Sequence, residues 1–334
     1  MRAPTSHDVA ALAGVSQPTV SRALRGDPRV APDTIRRVRE AAGALAYVPS
    51  RRGRSLSTRA TGQVAVVVRD LGNPFYSEAI LHLHAALDAA GRRAVVHTDL
   101  PGRPFAAEQL LDGAVDAAIL TTTLVGSALP GALADRGLPV VQFNRTAGGD
   151  AADACESDNA GGGREVATLL AGLGHTEIGA ILGPADTSTG RDREAGLRAG
   201  LAQRGIALAD ARVRRGPFST ATGHEGLASL MAAPHPPSAV FCGNDVVAVG
   251  ALNAARALGI PVPDRLTIVG FDDIAMAAWE VFRLTTVRQD LAAMSGAAIR
   301  LLLDRIDDPG RPPRRVRVPV ELVPRGSHGA PARA

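Results

Sequence analysis

Gln17, Pro18, Thr19, Ser21 and Arg22 fall within six consecutive residues, interrupted only by the apolar Val20. A glutamine amide pairs bidentately with adenine and an arginine guanidinium with guanine in the major groove. Threonine and serine hydroxyls reach phosphate oxygens, which fix register without reading sequence. The segment would therefore suit base readout if it is a helix with Val20, Ala23 and Leu24 turned inward. A solvated polar helix face has the same pattern. A second set of polar residues lies far downstream: Asn73-Pro74-Phe75, Asn144-Arg145, Asn244-Asp245 and Asp272-Asp273 each follow a short apolar run. Asn and Asp favour turns and caps at strand ends, but as a set these residues also suit the lining of a ligand pocket.

The elements needed to position the first set are legible around it. Val9, Ala10, Leu12 and Ala13 give an apolar stripe to a helix from about Ser6, its expected cap, to Ala13. Gly14 is placed to end that helix, with Val15 turned inward to hold the turn. Ser16 is placed to cap a helix over 17–24, with Pro18 in the first turn, where its missing N–H has no helical partner. A third helix is expected over 32–46, with Ile35, Val38, Ala42 and Leu45 buried. Two helices about a glycine turn form a helix-turn-helix. Charge agrees: residues 1–60 hold 11 arginines and 4 acids, whereas the remainder is slightly acidic. A basic head on such a body is the electrostatic footprint of a DNA-binding module.

From Gly62 the periodicity changes. Apolar runs at 64–70, 92–99, 116–120, 138–145, 178–183, 238–244 and 266–273 alternate with amphipathic segments, including helices expected over 76–90 and near 105–112. Repeated β-α units imply parallel sheets flanked by helices, too many for one sheet and hence two lobes. Ligands bind beyond the carboxyl ends of such strands.

HDVAALAGVSQPTVSRAL followed by YVPSRRGRSL resembles the head and hinge of the lactose-repressor (LacI/GalR) family. DLGNPFYSE, SDNAGGGREVATLLAGLGH, GRDREAGLRAGL, FCGNDVVAVGALNAARALGIPVP, TIVGFDD and LTTVRQD resemble its effector domain, which is related to periplasmic sugar-binding proteins. The resemblance covers nearly the whole chain. It implies an all-α helix-turn-helix head (1–49), a hinge helix and linker (50–61) and a two-lobed α/β effector domain (62–334). The lobes would be discontinuous, with an N-lobe of about 62–159 and 289–319 and a C-lobe of about 160–288 and 320–334. It implies that Gln17, Pro18 and Arg22 read bases, while Thr5, Ser16, Thr19 and Ser21 hold phosphates. Arg51 and Arg54 would sit near the minor groove, where Leu56 would wedge into the central step and kink the duplex. Arg193, Asn244 and Asp272 match effector-binding positions; Phe75 and Phe218 match pocket walls, with Asn144 and Trp279 as further members. Gly53 stands where the family has alanine, and glycine weakens a helix by about 1 kcal/mol, so the hinge helix is expected to form only weakly off DNA. Ser50 replaces the family's asparagine, and Arg283 its proline before Leu284.

The resemblance thus implies a ligand-controlled repressor, not an enzyme, acting as a homodimer on a palindromic operator in double-stranded DNA. Its effector would be a sugar or, as in other members, a purine or nucleoside. A two-lobed ligand binder without operator function would share the body alone. P-loop, HExxH and GxSxG motifs are absent, and the eight histidines are scattered, so neither metal nor cofactor is expected. Cys155 and Cys242 read as small core residues. No apolar run approaches the roughly 20 residues that span a bilayer, and MRAPTSHDVAALAGVS does not read as a secretory signal, so a cytoplasmic protein is expected. The tail contains LVPRGS, which looks like a protease-site scar but matches a Leu-x-x-Arg-x-Ser run common in the family, and it is read as native.

Overall fold

The computed structural model describes residues 4–24, 26–47, 60–98 and 105–332. Arg51, Arg54 and Leu56, and the rest of the expected hinge, lie outside the described residues. The chain divides into two compact units, Met1–Thr61 and Gly62–Ala334.

In the first unit α1 (Ser6–Ala13), α2 (Gln17–Leu24) and α3 (Pro32–Ala44) enclose Val9, Ala13, Val20, Ala23, Val38 and Ala42. The cap of α1 is Thr5, not Ser6. The Thr5 hydroxyl oxygen accepts from the Asp8 amide at 3.4 Å and the Asp8 carboxylate accepts from the Thr5 amide at 2.7 Å, a reciprocal pair that satisfies two otherwise unpaired donors. Gly14 adopts φ 62° and ends α1 through its N–H to Ala10 and Ala11, a left-handed turn that costs glycine no steric strain. Leu12, expected inside, is 57% exposed. At 100° per residue it lies outside the face formed by Val9, Ala10 and Ala13.

The second unit begins with β1 (Gln63–Val68), α4 (Pro74–Ala89), β2 (Arg93–Thr98), β3 (Ala117–Leu120), α5 (Leu129–Ala134), β4 (Val140–Phe143) and β5 (Asp153–Ser157). The helix expected near 105–112 is only a 3₁₀ turn, Ala107–Leu110. The chain continues through α6 (Asn159–Gly172), β6 (Ile178–Leu182), α7 (Ser188–Ala202), β7 (Val213–Arg215), α8 (Thr220–Met231), β8 (Ala239–Cys242), α9 (Asp245–Ala257) and β9 (Thr267–Val269). It closes with β10 (Thr286–Gln289), α10 (Leu291–Asp307), β11 (Arg315–Val318) and β12 (Val320–Val323). One parallel sheet runs β11-β5-β4-β3-β1-β2, the other β7-β6-β8-β9, and β10 pairs antiparallel with β12 between them. The first sheet packs on α4 and α10 around Val66, Leu83, Phe143 and Leu302. The second is covered on one face by α6 and α7 around Leu170, Leu197 and Phe241, and on the other by α8 and α9 around Ile181, Leu227 and Ala251. Cys155 and Cys242 are buried free thiols. Burial pushes the Cys155 thiol up to about 12, consistent with an inert core role.

Two features hold the second lobe's elements close. Where α6 crosses α7, a Cβ on Gly196 would overlap the Ala160 carbonyl and one on Gly163 the Arg193 carbonyl. These glycines let α7 approach the start of α6 backbone to backbone. The tail forms a strap. Ser327 accepts from the Thr285 amide at 2.8 Å and donates to the Ile268 carbonyl at 2.6 Å, while the Ile268 amide donates to Ser327 O. His175 Nε2 lies 2.9 Å from Gly329 O and Nδ1 2.8 Å from Ser238 Oγ, which places the proton on Nε2 in the neutral ring. At Arg283, φ is +40° and its N–H donates to Trp279 O. Proline could supply neither, so a proline at position 283 could not form this turn.

Gly196→Ala is expected to destabilise the protein by about 1–3 kcal/mol through overpacking, despite alanine's better helix propensity; thermal denaturation measures it. Burial lowers the affinity of His175 for a proton, only partly offset by Gly329 O. The folded state therefore binds fewer protons than the unfolded one, and His175's contribution is full above the unfolded value of about 6.5 and declines as pH falls below it. The protection factor of the Gly329 amide, which donates to Thr267 Oγ1, should fall from pH 7.5 to 5.5 once the intrinsic pH dependence of exchange is divided out, but not in His175→Gln.

Candidate nucleic-acid interface and effector cleft

Burial sorts α2 by face. Val20 and Ala23 are buried, whereas Gln17, Pro18, Ser21 and Arg22 are exposed and Thr19 is half-buried. Ser16 caps the helix: its Oγ accepts from the Thr19 amide at 3.4 Å and lies 2.8 Å from Thr19 Oγ1. Gln17 Nε2 donates to Ser6 Oγ at 3.2 Å, which tethers its amide to the neighbouring helix. Thr5, expected on phosphate, gives its hydroxyl to the Asp8 carboxylate at 2.7 Å and serves in the cap of α1.

In the second unit the sites expected at strand ends converge in a cleft between the sheets. Arg193, on α7, is 3% exposed. Its Nη2 lies 2.9 Å from Asp272 Oδ1, its Nη1 donates to Gly243 O at 2.7 Å and its Nε donates to Asn159 Oδ1 at 2.9 Å. Its guanidinium carbon sits 3.7 Å from the Phe271 ring centroid. Asp272 also accepts from Gln289 Nε2 at 2.7 Å. Burial pushes the Asp272 carboxyl above its ordinary value, opposed by the charge of Arg193 and by the Gln289 and Arg193 donors. With donors on its Oδ1 and an arginine that stays charged, the pair is ionic. Asp272 and Asp273 hold φ +119° and +57°, strained for residues with a Cβ. The buried Asp245 carboxyl group pins this turn, accepting from the Ile274 amide at 2.9 Å and the Thr286 hydroxyl at 2.5 Å.

Across the cleft, Asn144 follows β4 at φ +68° and donates through Nδ2 to Tyr76 Oη at 3.5 Å; its Oδ1 is buried without a partner. The Arg145 guanidinium carbon lies 5.6 Å from the Tyr76 ring centroid and 5.1 Å from that of Phe218, and its Nε is likewise unpartnered. Phe218 packs over Gly183. The two sides meet at the rim, where Thr146 N donates to Ser188 Oγ, Val125 N to Asp186 O and Ala275 N to Glu78 Oε1. Unpaired buried donors and acceptors are costly, so Asn144 and Arg145 mark where a polar ligand would gain most.

Three other expected members have local partners. Asn244 caps α9, its Oδ1 accepting from the Val247 amide at 2.9 Å. Phe75 is a core residue, 2% exposed, edge-on to Tyr76 at 5.3 Å. Trp279 is 54% exposed and stacks on Phe282 at 6.3 Å. Arg145 belongs to the strand-end set expected to line a pocket, whereas Tyr76, Asn159 and Gln289 were not anticipated. Tyr76 is adjacent in sequence to Phe75, so a pocket drawn from neighbours would have included it.

Comparison with known proteins covers both units. Residues 5–50 match the model of bacterial regulatory proteins of the lacI family, and residues 167–328 match a periplasmic binding protein-like domain. The HTH-type transcriptional regulator CelR of Thermobifida fusca is 34% identical, covering 98% of each chain. The HTH-type transcriptional repressor PurR of Yersinia enterocolitica is 31% identical over 97% of this chain and 96% of its own. A transcriptional regulator CelR–cellobiose complex superposes with a TM-score of 0.75 at 32% identity, covering 97% of this chain and 99% of that one. The lac repressor dimer bound to operator and the anti-inducer ONPF shares the fold, with a TM-score of 0.87 at 24% identity, covering 98% of this chain and all of that one. Since whole-length relatives agree with the matches to head and body, the chain belongs to the lacI family of bacterial regulatory proteins and is a DNA-binding transcriptional regulator.

Proposed function

We propose that the protein is a cytoplasmic repressor that holds a palindromic operator as a homodimer and changes its grip when a sugar enters the cleft of the second unit. The observation that carries the ligand half is the buried Arg193–Asp272 pair facing Asn144 and Arg145 across one cleft. Paired donors and acceptors suit vicinal hydroxyls, and aromatic faces suit the C–H patch of a sugar ring; Tyr76 and Phe218 supply such faces. Cellobiose is the ligand of the CelR complex that this chain resembles, which favours a sugar over a nucleoside. Leu258, Trp279 and Val281 are exposed and apolar, which favours self-association over this surface.

On DNA, Gln17, Pro18 and Arg22 read base edges. Ser16, Thr19, Ser21 and, at the margin, Thr5 face phosphates. Arg51, Arg54 and Leu56 engage the minor groove. The ligand acts through its differential affinity for the arrangements that do and do not bind operator.

A duplex selected by the protein from random-sequence DNA gives the first test. Arg22→Ala should weaken binding to it by about 1–3 kcal/mol and relax base preference at one position per half-site, read by fluorescence anisotropy. Equal, salt-sensitive attachment to every duplex would refute operator recognition. For the cleft, a thermal-shift screen of monosaccharides, disaccharides and nucleosides identifies ligands by the stability they add. Asp272→Asn should weaken the best sugar by about 1.5–3 kcal/mol in calorimetry; undiminished sugar binding would remove Asp272 from the site.

A further inference from the structure

The Arg193–Asp272 pair is one side of a closed ring of buried hydrogen bonds. The Ser157 hydroxyl donates to Gln289 Oε1 at 2.5 Å, and Gln289 Nε2 donates to Asp272 Oδ1 at 2.7 Å. From Asp272 the ring passes to Arg193, from Arg193 Nε to Asn159 Oδ1 at 2.9 Å, and from Asn159 Nδ2 back to Ser157 O at 3.1 Å. Every member is 7% exposed or less. The orientation of the Gln289 amide follows from its neighbours. Its N–H₂ must face the carboxylate, which leaves its oxygen to accept from Ser157.

The members sit where the chain passes between the two sheets. Ser157 ends β5 in the first sheet, and Asn159 opens α6, which covers the second. Gln289 ends β10, and Asp290 caps α10, which packs on the first sheet. Backbone bonds reinforce both crossings: the Asp158 amide donates to Val318 O and the Asp272 amide to Val287 O, each at 2.8 Å. A ligand that turns the Asp272 carboxylate must therefore also move the Gln289 amide, and through it Ser157. Networks of this kind have few satisfactory arrangements, because leaving any buried member unpaired is costly.

We propose that Gln289 is a positioning residue, relaying the state of Asp272 through Ser157 to the first crossing, so that occupancy of the cleft reaches the strands that set the angle between lobes. This rests on the reading of the cleft as the effector site. It assigns Gln289 and Ser157 no contact with the effector itself.

The test perturbs one end and reads the other, in the full-length protein without ligand. Asp272→Asn should accelerate hydrogen exchange of the Asp158 amide about fivefold or more through coupling across the network. In a Gln289→Met background, which keeps the bulk but neither accepts nor donates through the side-chain amide, the same change should alter Asp158 exchange by less than twofold. A Ser157→Ala background, which removes only the hydroxyl, should give the same attenuation and serves if the methionine variant folds poorly. A role confined to packing would leave the response to Asp272→Asn undiminished in both backgrounds, and that result would overturn the proposal. Failure of every sugar and nucleoside to stabilise the wild-type protein would count against the effector reading instead, leaving the exchange cycle intact.

Discussion

The second unit is organised around a charge pair almost wholly withdrawn from solvent. Separating Arg193 from Asp272 without solvent would leave either charge uncompensated, and breaking such a buried pair costs about 3–5 kcal/mol. The structure meets that constraint with contacts from every direction: the Gly243 carbonyl and Asn159 on the guanidinium, the Phe271 ring beneath it, and the Gln289 amide on the carboxylate. Those partners come from both sheets' connections, which is why the turn carrying Asp272 tolerates a left-handed backbone and why Asp245 is buried to brace it. A ligand entering the cleft meets a preorganised donor–acceptor set, which lowers the ordering cost of binding.

The glycine crossing of α6 and α7 serves the same pair. Arg193 lies one turn from Gly196 on α7, and Asn159 lies next to Ala160 at the start of α6. Only helices packed backbone to backbone bring that guanidinium within hydrogen-bonding range of that amide. Among the described residues the head has no such device. Its core is a handful of valines and alanines, and small cores leave little stability in reserve.

How far the sequence revealed this depended on the range of the forces involved. In the head, α1 and α2 agree with their expected limits because local signals, a glycine stop, a serine cap and a proline in the first turn, decide them. Thr5 displaced Ser6 as cap because Asp8 sits three residues after Thr5 and completes a reciprocal pair. The long apolar strands of the body were legible, whereas β5, β7, β10, β11 and β12 were not among those expected. Several of these are short, and DACES or RVRV carries charged residues satisfied only by distant partners such as Arg305 on Asp153. In the cleft, Arg193 and Asp272 were identified and meet. Asn244 spends its carbonyl on a helix cap, the alternative its residue type always allowed. Trp279 turned outward with the Arg283 turn, whose backbone has no local signature. Gln289 was not identified because its partners lie 17 and 132 residues away.

The strap at the carboxyl end changes the meaning of the LVPRGS run. Arg325 gives its amide to Thr285 Oγ1 and its Nη1 to Leu284 O, its Nη2 forms an ion pair with Asp273 Oδ1, and Ser327 is 1% exposed. A trypsin-like endopeptidase must draw that arginine out in extended form before it can cut. In the native fold the run is therefore a masked scissile bond, severed only after the segment peels from the sheet, and nicking there would report local opening of this edge instead of the release of a disposable tail.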